Sequence, residues 1–562
     1  MQIYQRTIKM REKFVDTLAR LYEYSTTAFS KEKFTQWGDS DDEGYTYGSF
    51  KEKCDGISKL LTQYGVGVGD KVAIFSQSMP NWSVAFFSAA AFGRIAIPIL
   101  PDSSENEVTN IINHSESQVL FVSRRVVSKV NEGIKAKLKL IIDLDSLEVI
   151  KSDDDKFTCD GRAAVPTPDD IATIIYTSGT TGSAKGVVLS HRNLASNVIT
   201  CLHSCKKSRN DVWLSLLPLA HTLEMTIGLL YPMFCGASIY YLQKPPVPAL
   251  LLKAIKTVRP TVILSVPLII EKIYKGSVLP TINGSRTLRW MDKHANLLMC
   301  RLIGLKLKST FGGRLRFFGI GGAKLDGEVE KFLLKSGFPY AVGYGLTETA
   351  PLITNACVGK TKVGSIGVPA YNVQVKLDNI NPETGEGEIV AKGDNVMLGY
   401  YKDPERTRQV LSDDGWFRTN DLACMDENGR FYIKGRLNNM ILGPSGENIY
   451  PEEIEQVINN FGGVNESLVM ERDGKLVALV KFDDNVLNWN QETEDKFFEN
   501  LQAKKKAVLD YVNKHVGKSS KVNSVEVVKE DFEKTATHKI RRFKYQDAHG
   551  DEPQQPDSSK TE

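Results

Sequence analysis

Net charge is nearly absent from this sequence. Its 71 lysines and arginines stand against 68 aspartates and glutamates, a formal charge of +3, so it lacks the basic excess or stripe of a nucleic-acid surface. The runs Lys504-Lys505-Lys506 and Lys539 to Arg542 read as solvated faces, except where a motif below claims one. Cysteine is scarce as well. Eight are spread over 562 residues, which excludes a small disulfide-stapled scaffold and suits a reducing compartment. Cys201, His203 and Cys205 stand close together, but their spacing fits no common zinc pattern and no second ligand pair stands out, so a structural reading is preferred. Long apolar runs are missing too. The most apolar stretch, Trp82 to Leu100, contains Arg94 and is interrupted by Gly93 and Pro98; a buried helix followed by a strand is expected there, not a membrane span. Met1 to Arg11 is polar and basic, and no signal peptide is expected. The expected location is cytoplasmic.

What is present is a chain too long for one compact core, so two or more domains are expected. The composition, 41% hydrophobic and 25% charged, is that of an ordinary globular protein. Residues 1–435 alternate apparent strands and helices, the pattern of α/β layers. Lys71 to Phe75, Val119 to Val122, Thr261 to Val266 and Leu315 to Ile320 are strand candidates. Between Gly364 and Tyr401 the texture changes to short strands and turns, with Asn381 to Gly387 a turn-rich connection by residue chemistry. A β-rich subdomain is expected there. A smaller α+β domain is placed at 436–547. Pro451 opens a helix with Glu452 and Glu453 in its first turn, and Ile454, Val457, Ile458 and Phe461 on one face. Strands near Leu476 to Val480 and Val522 to Val528 complete it. The tail, 548–562, is polar and expected to be disordered.

The strongest motif follows the strand candidate Ile171 to Tyr176. It reads Thr177-Ser178-Gly179-Thr180-Thr181-Gly182-Ser183-Ala184-Lys185-Gly186. Glycines let backbone amides approach a ligand, while hydroxyls and a lysine add donors, the chemistry that holds the β- and γ-phosphates of ATP. A Walker A loop is excluded, because Ser183 and Ala184 separate Gly182 from Lys185. The segment Tyr176 to Val187 resembles the signature loop of the adenylate-forming superfamily: acyl-CoA synthetases, peptide-synthetase adenylation domains and luciferases. Further matches follow in the family's order and cover nearly the whole chain.

Phe318 to Ala323 resembles the glycine segment against which adenine packs, implying nucleotide contacts at Gly321, Gly322 and Ala323; read alone, it is equally a tight strand-to-loop turn. Tyr344-Gly345-Leu346-Thr347-Glu348 matches the next signature. The resemblance implies that Tyr344 stacks on adenine beside Gly345, Thr347 contacts the α-phosphate, and Glu348 helps hold Mg²⁺, for which a carboxylate is the suitable hard ligand. Asp421 resembles the ribose-binding aspartate, with Asn420 where the family usually has glycine; Arg436 resembles the arginine that joins it. One carboxylate can accept both ribose hydroxyls. Lys539, four residues after Thr535 and before Ile540, matches the catalytic lysine of the small domain, with His538 in place of a usual glycine. The resemblance also implies a hinge at Asn438, where many relatives carry aspartate or lysine, and a thiol-transfer loop at Gly446.

These assignments imply two half-reactions. A carboxylate attacks the α-phosphate of ATP to give an acyl-adenylate, and a thiol then displaces AMP. Two anions must meet, so positioning and charge compensation carry the catalysis, with Lys539 bridging carboxylate and α-phosphate. The segment Leu217 to Glu224 resembles that of long-chain acyl-CoA synthetases, which puts His221 at the entrance of an acyl pocket. The apolar run Met225 to Phe234 then either lines an alkyl tunnel or is simply a core helix. Amino-acid adenylation domains place an aspartate early in this region; here only Glu224 offers a carboxylate. A fatty acid, ATP and coenzyme A are the expected substrates, with transient membrane contact to collect the lipid and no nucleic acid. A carrier-protein phosphopantetheine as acceptor, or a nucleotide-binding protein without turnover, are the alternatives.

Overall fold

The computed structural model describes residue 12 and residues 15–40, 42–152, 163–178, 184–205, 208–244, 248–442, 448–483, 486–487, 494–535 and 539–545. Apolar runs too short for a helix, such as Lys71–Phe75 and Val119–Val122, form strands buried on both faces, as parallel sheets covered by helices require. They pair in parallel, Val72 opposite Val119. One eight-stranded sheet runs, edge to edge, through Gly399–Tyr400, Ala184–Ser190, Ile171–Ser178, Ile95–Ile99, Lys71–Phe75, Val119–Val122, Leu140–Asp143 and Val149–Ser152. A second, also of eight strands, runs through Thr35–Trp37, Ser238–Tyr241, Val212–Leu214, Val262–Ser265, Phe317–Ile320, Tyr340–Gly345, Leu352–Ala356 and Val368–Pro369.

The main core lies between these sheets, where helices Tyr47–Gln63, Pro80–Ala90 and His191–Ser204 are clamped from both sides. Separate apolar clusters cover the outer face of each sheet. The result is five alternating helix and sheet layers, the α/β class expected. The stretch Trp82 to Leu100 becomes the buried helix Pro80–Ala90 and the strand Ile95–Ile99. Its arginine is fully buried because its donors are used: Arg94 donates to the Val66, Ser58 and Ser88 carbonyls and to the Ser58 and Thr62 hydroxyls at 2.7–3.2 Å. Burial lowers its pKa to about 10.

The change of texture after Gly364 corresponds to an antiparallel sheet of Gln374–Asp378, Gly387–Lys392, Phe417–Met425 and Phe431–Arg436. Asn381 closes the first connection by accepting from the Glu383 amide at 2.8 Å. Beyond it, strands Val464–Arg472, Lys475–Phe482 and Ser524–Val527 carry helices Pro451–Asn459 and Glu494–His515 around a core of their own. Ile454 and Ile458 of the expected helix face are buried in it, with Val457 and Phe461 packed at its margin. Arg541 reaches back to Glu107 at 2.8 Å, and Lys275 donates to the Asn459 carbonyl at 3.1 Å. No described helix is long and apolar enough to cross a membrane. The tail 548–562 lies outside the described residues.

Candidate active site

Strands Ile171–Ser178 and Ala184–Ser190 form an antiparallel pair with Ser178 opposite Ala184 and Thr177 opposite Lys185. The expected phosphate loop thus falls between the ends of two paired strands. Gly179, Thr180, Thr181, Gly182 and Ser183 themselves lie outside the described residues, as do Gly446 and His538. Near the end of the first strand, the Thr177 hydroxyl is buried without a hydrogen-bond partner, a donor awaiting an acceptor.

Across from it, strand Tyr340–Gly345 runs into the single turn Thr347–Thr349. The turn needs glycine at 345, because a Cβ there would lie 1.7 Å from the Pro351 carbonyl oxygen. This sharp exit points Glu348 at the hairpin. Lys185 donates to Glu348 Oε1 at 2.7 Å and to the Tyr400 hydroxyl at 2.8 Å, and Tyr400 donates to the same carboxylate oxygen at 2.9 Å. Burial by itself raises the Glu348 pKa, but the charge and hydrogen bond of Lys185 outweigh it and hold the group below its ordinary value. The carboxylate is therefore ionised.

A second cluster joins the other two sheets. Tyr344 donates to Asp421 Oδ2 at 2.7 Å, and Arg436 Nε donates to Oδ1 at 3.0 Å. Asp421 and Arg436 are opposite one another in the strands Phe417–Met425 and Phe431–Arg436. Asn420 adopts φ +62° just before the aspartate, the left-handed backbone that glycine or asparagine accepts; this explains how it stands where the family has glycine. The paired aspartate raises the Arg436 pKa. Gly321 and Gly322 leave the end of strand Phe317–Ile320 beside this cluster, Gly322 with φ +87°, followed by exposed Ala323.

Thr535 and Lys539 close a tight loop: the Thr535 amide donates to the Lys539 carbonyl at 2.8 Å, and the Lys539 amide to the Thr535 hydroxyl at 3.2 Å. Lys539 is exposed to solvent. Protein mass around it and the charge of Arg436 lower its pKa, while Asp421 and Glu348 act the other way. His221 senses Lys539 in turn; burial first, and that charge second, lower its pKa to about 4. The neutral ring accepts from the Leu223 amide through Nδ1 at 3.2 Å, leaving Nε2 as the N–H donor. Asn438 sits in the single turn Leu437–Asn439 that directly follows Arg436.

Leu223, whose amide donates to the His221 ring, lines an apolar cavity of about 70 Å³. Leu223, Ile227 and Tyr231 line one wall, and Leu264, Phe317 and Val342 the other. The run Met225 to Phe234 is a buried helix, wound as a wide π-turn over Glu224–Leu230, and two of its residues, Ile227 and Tyr231, line the cavity. Glu224 does not line that cavity. It is buried, its Oε2 lacks a partner, and burial raises its pKa to about 8. Cys205 is occupied with Cys357, sulfur to sulfur at 2.8 Å, while His203 stacks on Tyr371 at 3.6 Å. Sequence reasoning missed Tyr400. It stands 215 residues from Lys185, and only the pairing of Gly399–Tyr400 with Ala184–Ser190 brings it in.

With this geometry in view, comparison with known proteins is direct. The model of the AMP-binding enzyme family matches residues 23–401. Long chain acyl-CoA synthetase 6, peroxisomal, of Arabidopsis thaliana is 30% identical over 79% of this chain and 69% of its own length. Long-chain-fatty-acid–CoA ligase 1 of Homo sapiens is 29% identical over 87% of this chain and 77% of its own. Among solved structures, the o-succinylbenzoate CoA synthetase of Bacillus subtilis in complex with its acyl-adenylate intermediate superposes with a TM-score of 0.74. It is 21% identical and covers 95% of this chain and 99% of that one, a likeness of fold.

Proposed function

The chain belongs to the family of AMP-binding enzymes, and from that premise we propose that it joins a fatty acid, long-chain by preference, to coenzyme A, consuming ATP and releasing AMP and pyrophosphate. One observation supports the reading: Lys185 pairs with Glu348, Tyr344 and Arg436 pair with Asp421, and Lys539 lies within electrostatic reach of Glu348, Asp421, Arg436 and His221.

In the first half-reaction the Asp421 carboxylate, oriented by Tyr344 and Arg436, accepts the ribose hydroxyls, and Gly321 to Ala323 with Tyr344 hold the base. Thr177 to Gly182 and Lys185 bind the phosphates, and Thr347 meets the α-phosphate. An arriving triphosphate competes with Glu348 for Lys185, so this ion pair opens as the nucleotide binds. Glu348, ionised and paired with Lys185 on the strand opposite Thr177, whose hydroxyl lacks a partner, would hold a Mg²⁺, for which a carboxylate is a suitable hard ligand. When bound, the ion supplies charge compensation for the pyrophosphate leaving group. Lys539 brings the acid and the α-phosphate together, both anionic, and compensates the charge that develops between them. The His221 Nε2–H donor faces the same task at the carboxylate end. The alkyl chain takes the apolar cavity, which has to widen, since about 70 Å³ holds only a few methylenes.

For the second half-reaction residues 436–547 rotate about Asn438, withdrawing Lys539 and presenting the loop at Gly446 to the thiol. An amino-acid substrate is disfavoured because no carboxylate among the described cavity residues waits for an amine. The relatives named above are coenzyme A ligases, which favours the free thiol over a carrier protein. The test is incubation with magnesium, ATP, coenzyme A and a panel of acids. Acyl-CoA and AMP are expected with long-chain acids; adenylate without transfer, or ATP binding without turnover, overturns the reading.

A further inference from the structure

We propose that the consecutive helices Arg286–His294 and Asn296–Thr310 form a docking surface for an anionic lipid bilayer. Helix Asn296–Thr310 buries Met299, Cys300, Ile303 and Leu307 against the layer that covers the second large sheet. Its other side should then be polar. It is not. Leu298, Leu302 and Leu305 follow one another at steps of four and three residues and so share that side, with Leu297 beside them and Trp290 on the preceding helix. These five side chains are 49–67% exposed. Single exposed leucines are ordinary, but a group of this size marks an interaction surface.

Charge selects the partner. Residues 286–308 hold Arg286, Arg289, Lys293, Arg301, Lys306 and Lys308 against Asp292 alone, a net of five positive charges in a chain whose total is +3. A second copy of this chain would bring the same charge to the contact and be repelled. An anionic bilayer answers both features at once, with phosphates for the lysines and arginines and an acyl boundary for leucine and tryptophan. The long basic side chains can reach headgroups while their stems lie along the apolar face. Resting on the fatty-acid reading, the surface would bring the enzyme to the phase in which its poorly soluble acid concentrates.

The experiment is co-sedimentation of the full chain with vesicles of phosphatidylcholine, alone or mixed with phosphatidylglycerol. Binding to the mixed vesicles is expected, weakening as salt rises, with a blue shift of tryptophan emission that Trp290→Phe removes. Leu298→Ser, Leu302→Ser and Leu305→Ser together should lower the partition about a hundredfold, and Arg301→Gln or Lys306→Gln about fivefold each. All of these side chains are exposed, so the variants are expected to fold and to keep their turnover of a water-soluble short-chain acid. Equal binding by the triple variant overturns the proposal. So does a preference for neutral vesicles, or a parent dimer that the triple variant dissolves while vesicle binding persists. Vesicle binding without any acyl-CoA formation by the parent would defeat the fatty-acid reading and leave the surface standing.

Discussion

Replacing Tyr344 by phenylalanine isolates one hydrogen bond at the proposed nucleotide site. The ring and its stacking face remain; only the hydroxyl 2.7 Å from Asp421 Oδ2 is lost. A hydrogen bond to a charged group contributes about 1.5–3 kcal/mol. The upper half of that range is expected here, because Asp421 is only 4% exposed and its vacated oxygen has little access to water. Arg436 still holds Oδ1 at 3.0 Å, so the carboxylate keeps one anchor but turns more freely. The hydroxyl takes no part in bond making, so the loss falls on binding. At tenfold per 1.4 kcal/mol, KM for ATP should rise about 40- to 140-fold with kcat little changed. The assay is ATP–pyrophosphate exchange at varied ATP with a saturating acid. A fall in kcat at constant KM would refute the reasoning, since it would place the hydroxyl in the chemical step.

Lys539→Ala should slow adenylate formation by at least about a hundredfold, the usual effect of removing one preorganised charge, yet spare thioester formation from supplied acyl-adenylate; pyrophosphate exchange at the parent rate would remove Lys539 from the mechanism. Glu224 gives a pH signature. Its folded-state pKa of about 8 lies above the ordinary carboxyl value, so the folded state keeps a proton that the unfolded chain has lost, and stability falls as pH rises from about 4.5 to 8. Glu224→Gln should abolish that fall and gain about 3 kcal/mol near pH 7. Urea unfolding of both proteins at pH 5 and pH 8 checks this, and parallel curves would count against it. Gly345→Ala should disrupt the turn that presents Glu348, because its Cβ would meet the Pro351 carbonyl oxygen at 1.7 Å; a variant with parent ATP affinity and thermal stability would contradict that geometry.

The sequence by itself determined the layered α/β class, the bounds of strands such as Lys71–Phe75 and Val119–Val122, and the segments that resemble nucleotide motifs. The reason is that each is encoded locally: apolar runs of strand length, glycines at forced turns, and a short Gly- and hydroxyl-rich segment with its lysine. Even Asn420 was legible, since few side chains tolerate the φ of +62° it adopts. Tertiary structure decided which of these motifs meet. The pairing of Lys185 with Glu348 spans 163 residues, and that of Tyr344 with Asp421 spans 77. Tyr400 carries no local mark at all and becomes part of the site only through strand pairing at a sheet edge. The same holds for the cavity, whose two walls come from a helix and a sheet distant in sequence. It holds for Glu224 too, whose carboxyl stays protonated because the surrounding layers exclude water. Local chemistry can be read along a chain, whereas desolvation and convergence exist only once the chain has folded around them.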